Sequence, residues 1–322
     1  MPADPTERAG SATDRHTPLT ESRTAAAVFD ASAQLLQSQN RVLERVVRGA
    51  PLNETLDFYL RLIEAQSPGM LSSILLLDDD GIHVRHAAAP SLPERYVRAI
   101  DGLAIGPAAG SCGTAAYRRE PVIVEDIATD PLWEAYRDSA LPHGLRACWS
   151  TPILDPNRRV LGTFALYFRM PGRPSPRHRQ LIDVTTHVAA LAILADRDRQ
   201  EAARRLTQLE EAQRLANMGS YDWDIQSNTV WRSKELCRIF GVKPDEFAPT
   251  MDAYFERVHP DDRATTKETI ERSARDRSPF DFKERIIRPD GALRHLHSRG
   301  TWVTGGNPES ARLVGISQDI TD

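Results

Sequence analysis

The spacing of apolar residues changes period several times along the chain, and each change marks an element. From Ala25 to Val47 apolar side chains recur at helical intervals (Val28, Leu35, Leu36, Val42, Leu43, Val46, Val47), which predicts an amphipathic helix. Pro51 opens a second helix, since its fixed φ suits a first turn, and Leu56, Leu60 and Ile63 share one face of it. The period then shortens. "MLSSILLLDDDGIHVRHAAA" reads as a strand, an Asp-Gly turn and a second strand, a β-hairpin in outline. "EPVIVEDI" predicts a further strand, and "ACWSTPIL" and "VLGTFALYF" two more joined by the "DPNRR" turn. Helices are expected over Ser111–Arg119 and Leu132–Ser139. This order of elements is α+β, one antiparallel sheet with helices packed against it.

From Pro176 to Asn217 the pattern is one long helix. Leu181, Val184, Val188, Leu191 and Ala195 follow spacings of three and four; the stripe weakens through "DRDRQEAARR" and resumes at Leu206, Leu209 and Leu215. A helix of this length cannot bury itself on one small domain, so the expected use is a parallel coiled-coil seam between two chains, a homodimer through residues 176–217. The competing expectation is a solvated linker helix, which the weak middle section suits.

A second set of elements follows. "GSYDWDI" and "TVWRS" are short strands around a "QSN" turn, and "KELCRIFG" is a short helix that Gly241 ends. "MDAYFERV" and "PDDRATTKETIERSARD" predict two more helices. Three strands close the chain, "FDFKERIIR", "ALRHLHSRGTWVT" and "ARLVGISQDI", joined by the turns "PDG" and "GGNPES". After the last strand, Asp319 and Thr321 in "DITD" offer side-chain oxygens of the kind that cap a helix start.

Composition narrows the function classes. At 322 residues the chain has room for two ordinary domains, and 40% apolar with 27% charged content is that of a globular protein. Residues 1–22, rich in Thr, Ser, Pro and charge, are expected to form a disordered tail. The longest apolar run, "VAALAILA", falls well short of the ~20 residues that a membrane span needs, and the start lacks a basic region leading into an apolar core. The expected location is therefore the cytoplasm, with no membrane partner. A net charge of −4 carries no sign of a nucleic-acid partner. Three cysteines, Cys112, Cys148 and Cys237, are too few and too scattered for a disulfide framework or a zinc site.

Two runs of sequence carry family likenesses. "GSCGTAAYRREPVIVEDIATDPLW", "HGLRACWSTPILDPNRRVLGTFALYF" and "DVTTHVAALAILADR" make residues 23–195 resemble a GAF domain. "GSYDWDI", "VHPDDR", "RIIRPDGALRHL" and "GISQDITD" make residues 218–322 resemble a PAS domain with a C-terminal PAC segment. The pairing resembles the input half of a bacterial two-component sensor histidine kinase. It implies a sensory function, a small ligand or partner as signal, and a kinase or response regulator as possible partner.

In the GAF resemblance a ligand pocket lies between the sheet and the helices above it. The flanking segments would be Ser111–Thr114, Glu125–Trp133 and Arg146–Thr151, and the candidate contacts are Cys112, Asp126, Trp133, Arg146 and Trp149. Cys112 opens a helix, where free amides and the helix dipole favour a thiolate; the competing reading is a small core residue between two glycines. Cys148 and Trp149 must point to opposite faces of their strand. For both tryptophans the competing role is core packing.

The cofactor signatures of the two families are incomplete. Neither Cys112 nor Cys148 is followed by histidine, which argues against a bilin. Around Cys237 the neighbours of a flavin-adduct cysteine are missing, since Leu236 precedes it where Asn is expected. Haem is not supported either: His259, ahead of Pro260, Asp261 and Asp262, reads as helix-start chemistry. His295 and His297 share a strand face but lack the further ligands of a metal site.

No catalytic residues are expected. His187 lacks the acidic neighbour of a phosphoacceptor, and no Gly-rich phosphate loop or cyclase signature is present. The expected function is thus a sensory, signal-transducing input module, with kinase activity only if a transmitter is missing from the C-terminal side. The alternatives are a stand-alone partner-binding regulator without ligand and, further off, a GAF-type free methionine sulfoxide reductase. The latter relies on clustered cysteines, which residues 112 and 148 in separate elements do not suggest.

Overall fold

The computed structural model describes residues 35–304 and 311–321. The expected 1–22 tail, the start of the first helix and the "GGNPES" turn lie outside the described residues. The chain divides into two compact units between Gln200 and Glu201.

The first unit opens with α1 (35–47) and α2 (Leu52–Glu64). The hairpin β1 (Leu71–Leu77) and β2 (His83–Ala88) follows, with Gly81 at φ +70 supplying the left-handed turn position that a side chain disfavours. After it come α3 (Glu94–Ile100), β3 (Leu103–Ala104), α4 (Gly110–Arg118) and β4 (Val122–Val124). A 3-10 turn (Pro131–Trp133) and the short α5 (Arg137–Ala140) replace the single helix expected over Leu132–Ser139. Gly144, at φ +73, ends this stretch ahead of β5 (Ala147–Leu154) and β6 (Val160–Phe168). Neither α3 nor β3 was expected from the apolar pattern.

All pairings in the six-stranded sheet are antiparallel, in the order β3-β2-β1-β6-β5-β4. Both faces are covered, so β6 is buried over seven consecutive residues and its sequence shows no polar alternation. Phe164 and Leu166 point to the core shared with α1, α2 and α6 (Pro176–Leu215). Ala165 and Tyr167 point to a second core under α3 and α4. The buried positions of α6 are Leu181, Ile182, Thr185, Val188, Ala189, Ala190, Ala192 and Ile193. Leu191, expected on the buried stripe, is exposed instead, since the buried face of α6 runs through Val188, Ala189, Ala192 and Ile193.

The second unit contains β7 (Met218–Asp224), β8 (Thr229–Arg232), α7 (Lys234–Phe240), α8 (Met251–Arg257) and α9 (Pro260–Asp276). Three long strands complete it: β9 (Phe280–Ile287), β10 (Leu293–Thr304) and β11 (Ala311–Asp319). The sheet order is β8-β7-β11-β10-β9, again antiparallel throughout. Leu236, Ile239 and Phe240 of α7 pack on Ile286 and Leu296, and Ile270 of α9 packs with Phe280 and Leu313. Gly315 has no room for a side chain, since a Cβ would lie 2.2 Å from the Tyr221 hydroxyl. That vacancy lets Tyr221 reach over β11 and donate to the Arg299 carbonyl at 3.3 Å.

Three helix starts of the second unit are capped by side chains, and the one at His259 is where the sequence placed helix-start chemistry. Thr250 caps α8 by accepting from the Ala253 amide, and the His259 ring caps α9 by accepting from the Asp261 amide at 3.3 Å. Ser233 caps α7: its hydroxyl accepts from the Leu236 amide at 3.2 Å and from the Ser220 amide at 3.0 Å. Ser233→Ala would strand one buried and one half-buried donor at once. It is expected to cost about 1–2 kcal/mol by urea denaturation, and an unchanged midpoint would refute the assignment.

Candidate functional site

Among the described residues, a small cavity with a polar wall lies against the sheet of each unit. In the first unit the cavity lies between β1 and β2 on one side and α3 and α4 on the other. Its free volume is about 30 Å3, the room of one or two waters. Tyr96, Ser111, Cys112, Trp133 and Tyr136 are among its lining residues. Ser111 fixes the start of α4, donating to the Cys148 carbonyl and accepting from the Trp133 indole, both at 3.0 Å. Gly110, at φ +59, makes the left-handed turn that brings this start against the sheet.

The five sequence-selected residues fall into three places. Cys112 and Trp133 line the cavity together. Asp126 and Arg146 do not; they form a two-pronged ion pair, 2.8 Å and 3.1 Å, with both side chains partly in solvent. Hydrogen bonding from Arg146 holds the Asp126 carboxyl below the usual range, and Asp126 also takes the Ala128 amide. The pair ties the loop after β4 to the entrance of β5. Trp149 is buried on the opposite sheet face, 4.4 Å from the Phe168 ring and 5.2 Å from His178. Its indole donates to the Gly172 carbonyl at 3.0 Å, anchoring the segment that leads into α6. Burial against these rings, with the Arg177 charge, pushes the His178 imidazole below its ordinary pKa.

Cys148, the residue before Trp149, points into the cavity-side core as its alternation requires. There it faces Cys112, so the two thiols that sequence distance set apart are neighbours. Both also sit beside Tyr167: it is the cross-strand partner of Cys148, and its hydroxyl lies 3.7 Å from the Cys112 sulfur.

The cavity of the second unit escaped the sequence reading. It too has about 30 Å3 of free volume, walled by Tyr221, Arg232, Tyr254, Phe280, Ser298 and Ser317 among others. Behind Ser298 lies Glu284, a carboxyl only 3% exposed. It accepts from the Tyr254 hydroxyl and from Ser298 at 2.7 Å, and Ser298 shares a 2.8 Å bond with Ser317. Burial raises the Glu284 carboxyl to about 7, outweighing these hydrogen bonds. A sequence signal existed: Phe280, Phe282, Glu284 and Ile286 share the parity of the buried strand face. Cys237 is buried on α7, where desolvation pushes its thiol up. His297 pairs with Asp281 at 2.6 Å, and no cluster of three or more metal-ligating side chains occurs among the described residues. No helix among them is long and apolar enough to cross a membrane.

Comparison with known proteins gives this geometry a family. A GAF domain profile matches residues 49–194, and a PAS fold profile matches residues 229–317. The chain is 38% identical over 160 residues to a methyl sulfide methyltransferase-associated sensor of Methanosarcina acetivorans, covering 50% of this chain and 16% of that one. It is 30% identical over 145 residues to a blue-light-activated histidine kinase of Brucella ovis, covering 44% and 28%. A probable diguanylate cyclase of Escherichia coli is 29% identical over 123 residues, covering 38% and 11%. The chain thus spans under a third of the length of each of these relatives. The two profiles each fall on one antiparallel sheet with its helices, so the chain carries a GAF domain followed by a PAS fold.

Proposed function

We propose that this module is the cytoplasmic input part of a histidine-kinase-type two-component system, working as a homodimer through α6. The observation that carries the reading is the second half of that helix. Every residue from 201 to 209 is exposed within the chain, including Leu206 at 57% and Leu209 at 56%. Leu215 beyond them is 81% exposed. Exposed leucines three apart on a helix suit a seam with a second copy. Signal reaches the helix through β5, whose Cys148 faces the cavity-side core while Trp149 holds the segment entering α6. Because the GAF cavity holds only a water or two, a larger ligand must displace α3 or α4 to enter, and binding and motion become one event.

Light scattering of the full chain is expected to give a dimer, and Leu206→Glu with Leu209→Glu a monomer with intact secondary structure. A wild-type chain that stays monomeric at high concentration overturns the reading. The same small cavities favour, as a second reading, a regulator that binds a partner protein without a ligand. Native mass spectrometry with an absorption spectrum separates the two: a mass-shifted or coloured species means a ligand, a clean apo dimer means partner binding.

A further inference from the structure

The cavity-side core of the GAF domain contains more unspent chemistry than packing needs. Cys112 lines the cavity at the third position of α4, close to the free amides of its first turn. Cys148 faces it from β5, with Tyr167 touching the same sulfur. Around them the Ser150 and Thr163 hydroxyls, 1% and 0% exposed, have no hydrogen-bond partner of ordinary geometry among the described residues. Buried hydroxyls without partners are costly and mark a place where another polar group belongs. Strand parity places both on the Cys148 and Tyr167 side of β5 and β6.

We propose that Cys112 and Cys148 form a peroxide-responsive dithiol, with hydrogen peroxide as the oxidant and the α4 cavity as its entry and binding space. Peroxide is barely larger than water and fits the free volume, whereas bulky oxidants do not. The Cys112 thiolate attacks one peroxide oxygen; the S–O bond forms, the O–O bond breaks, and the departing hydroxide takes a proton and leaves as water. The Cys148 thiol then attacks the sulfenic sulfur. The S–S bond forms, the S–O bond breaks, and a second water leaves with the Cys148 proton. Two thiols and one peroxide thus give one disulfide and two waters. Ser150, Thr163 and Tyr167 supply hydrogen bonds to the oxygen that passes through. Hydrogen bonding from the Cys148 thiol outweighs burial and holds the Cys112 thiol below its ordinary range, which favours the attacking thiolate. Closing the sulfurs to a bond of about 2.05 Å pulls the start of α4 toward β5.

The test uses the full reduced chain. After dilute peroxide, alkylation in denaturant is expected to find one free thiol where the untreated chain has three, with a Cys112–Cys148 cross-linked peptide and Cys237 still free. The Cys148→Ser chain is expected to hold a sulfenic acid on Cys112 that dimedone traps. Three thiols remaining on the wild-type chain after peroxide treatment overturn the proposal. So does a disulfide that involves Cys237, or a Cys112 oxidised to sulfinic acid with Cys148 untouched.

Discussion

Raising the pH from about 5 to 8 is expected to weaken the PAS unit by roughly 3 kcal/mol, and Glu284→Gln to abolish that loss. Burial lifts the Glu284 carboxyl from 4.5 to about 7 in the folded chain. Below the lower value both states hold the proton, and the native network is fully stable. Between the two values the folded state keeps a proton that the unfolded state has released, so stability falls as pH rises through this window. Above about 7 the folded carboxyl ionises in an apolar core and the loss is complete.

The groups around it do not mask the effect. Tyr254 and Tyr221 titrate far above this range, and Asp262, held low by Arg285, titrates below it. A glutamine keeps the shape of the neutral acid and can still accept from Ser298. Hydrogen exchange of β9, β10 and β11 peptides is the readout, with the variant flat across pH 5–8 and more protected than wild type at the upper end. Parallel pH profiles for the two chains would refute the assignment.

Trp149→Ala is expected to cost the GAF unit about 3–5 kcal/mol, the range for truncating a large buried aromatic. The ring fills the space between Phe168 and His178, and its N–H is the tether to Gly172. The loss should therefore be local as well as global. Amide exchange should rise in residues 172–182, where the chain enters α6, before it rises in β1 or β6. Cys148→Ala, one residue away on the other face, removes a smaller side chain and leaves the tether in place, so the 172–182 amides should hardly respond. A Trp149→Ala chain that loses under 1 kcal/mol, or loosens both faces equally, would contradict the tether.

Local order was legible in the sequence; contacts across the sheet were not. The hairpin at 71–88 was readable because an Asp-Gly turn sits between two apolar runs of strand length. The long helix was readable from its apolar spacing, yet its buried face was misplaced at Leu191, since small alanines carry too weak an apolar signal to mark the buried side. The five residues chosen for the GAF cleft came from segments that do flank one sheet. Parity along β5 then sends Trp149 away from the cavity, and the ion pair spends Asp126 and Arg146 on a loop. Cys112 and Cys148 lie on a helix and a strand that meet only in three dimensions, so no periodicity could join them. Glu284 is different. Its parity with Phe280 and Ile286 was visible, but a charged residue is discounted as a core position unless its partners, here Tyr254 and Ser298, are known.

The PAS sheet also governs how such a domain can be spliced into a longer chain. Met218, where the chain enters from α6, is paired with Gln318, and the Asp319 amide donates to the Asn217 carbonyl at 2.8 Å. Asp319 then accepts from the Thr321 amide at 3.1 Å, a side-chain bond that turns the backbone as it leaves. The doorway in and the doorway out are therefore the same doorway. A unit built this way can be duplicated, deleted or exchanged by recombination while the flanking segments stay within a strand's width of each other. What such an event changes is the message, and not the wiring on either side of it.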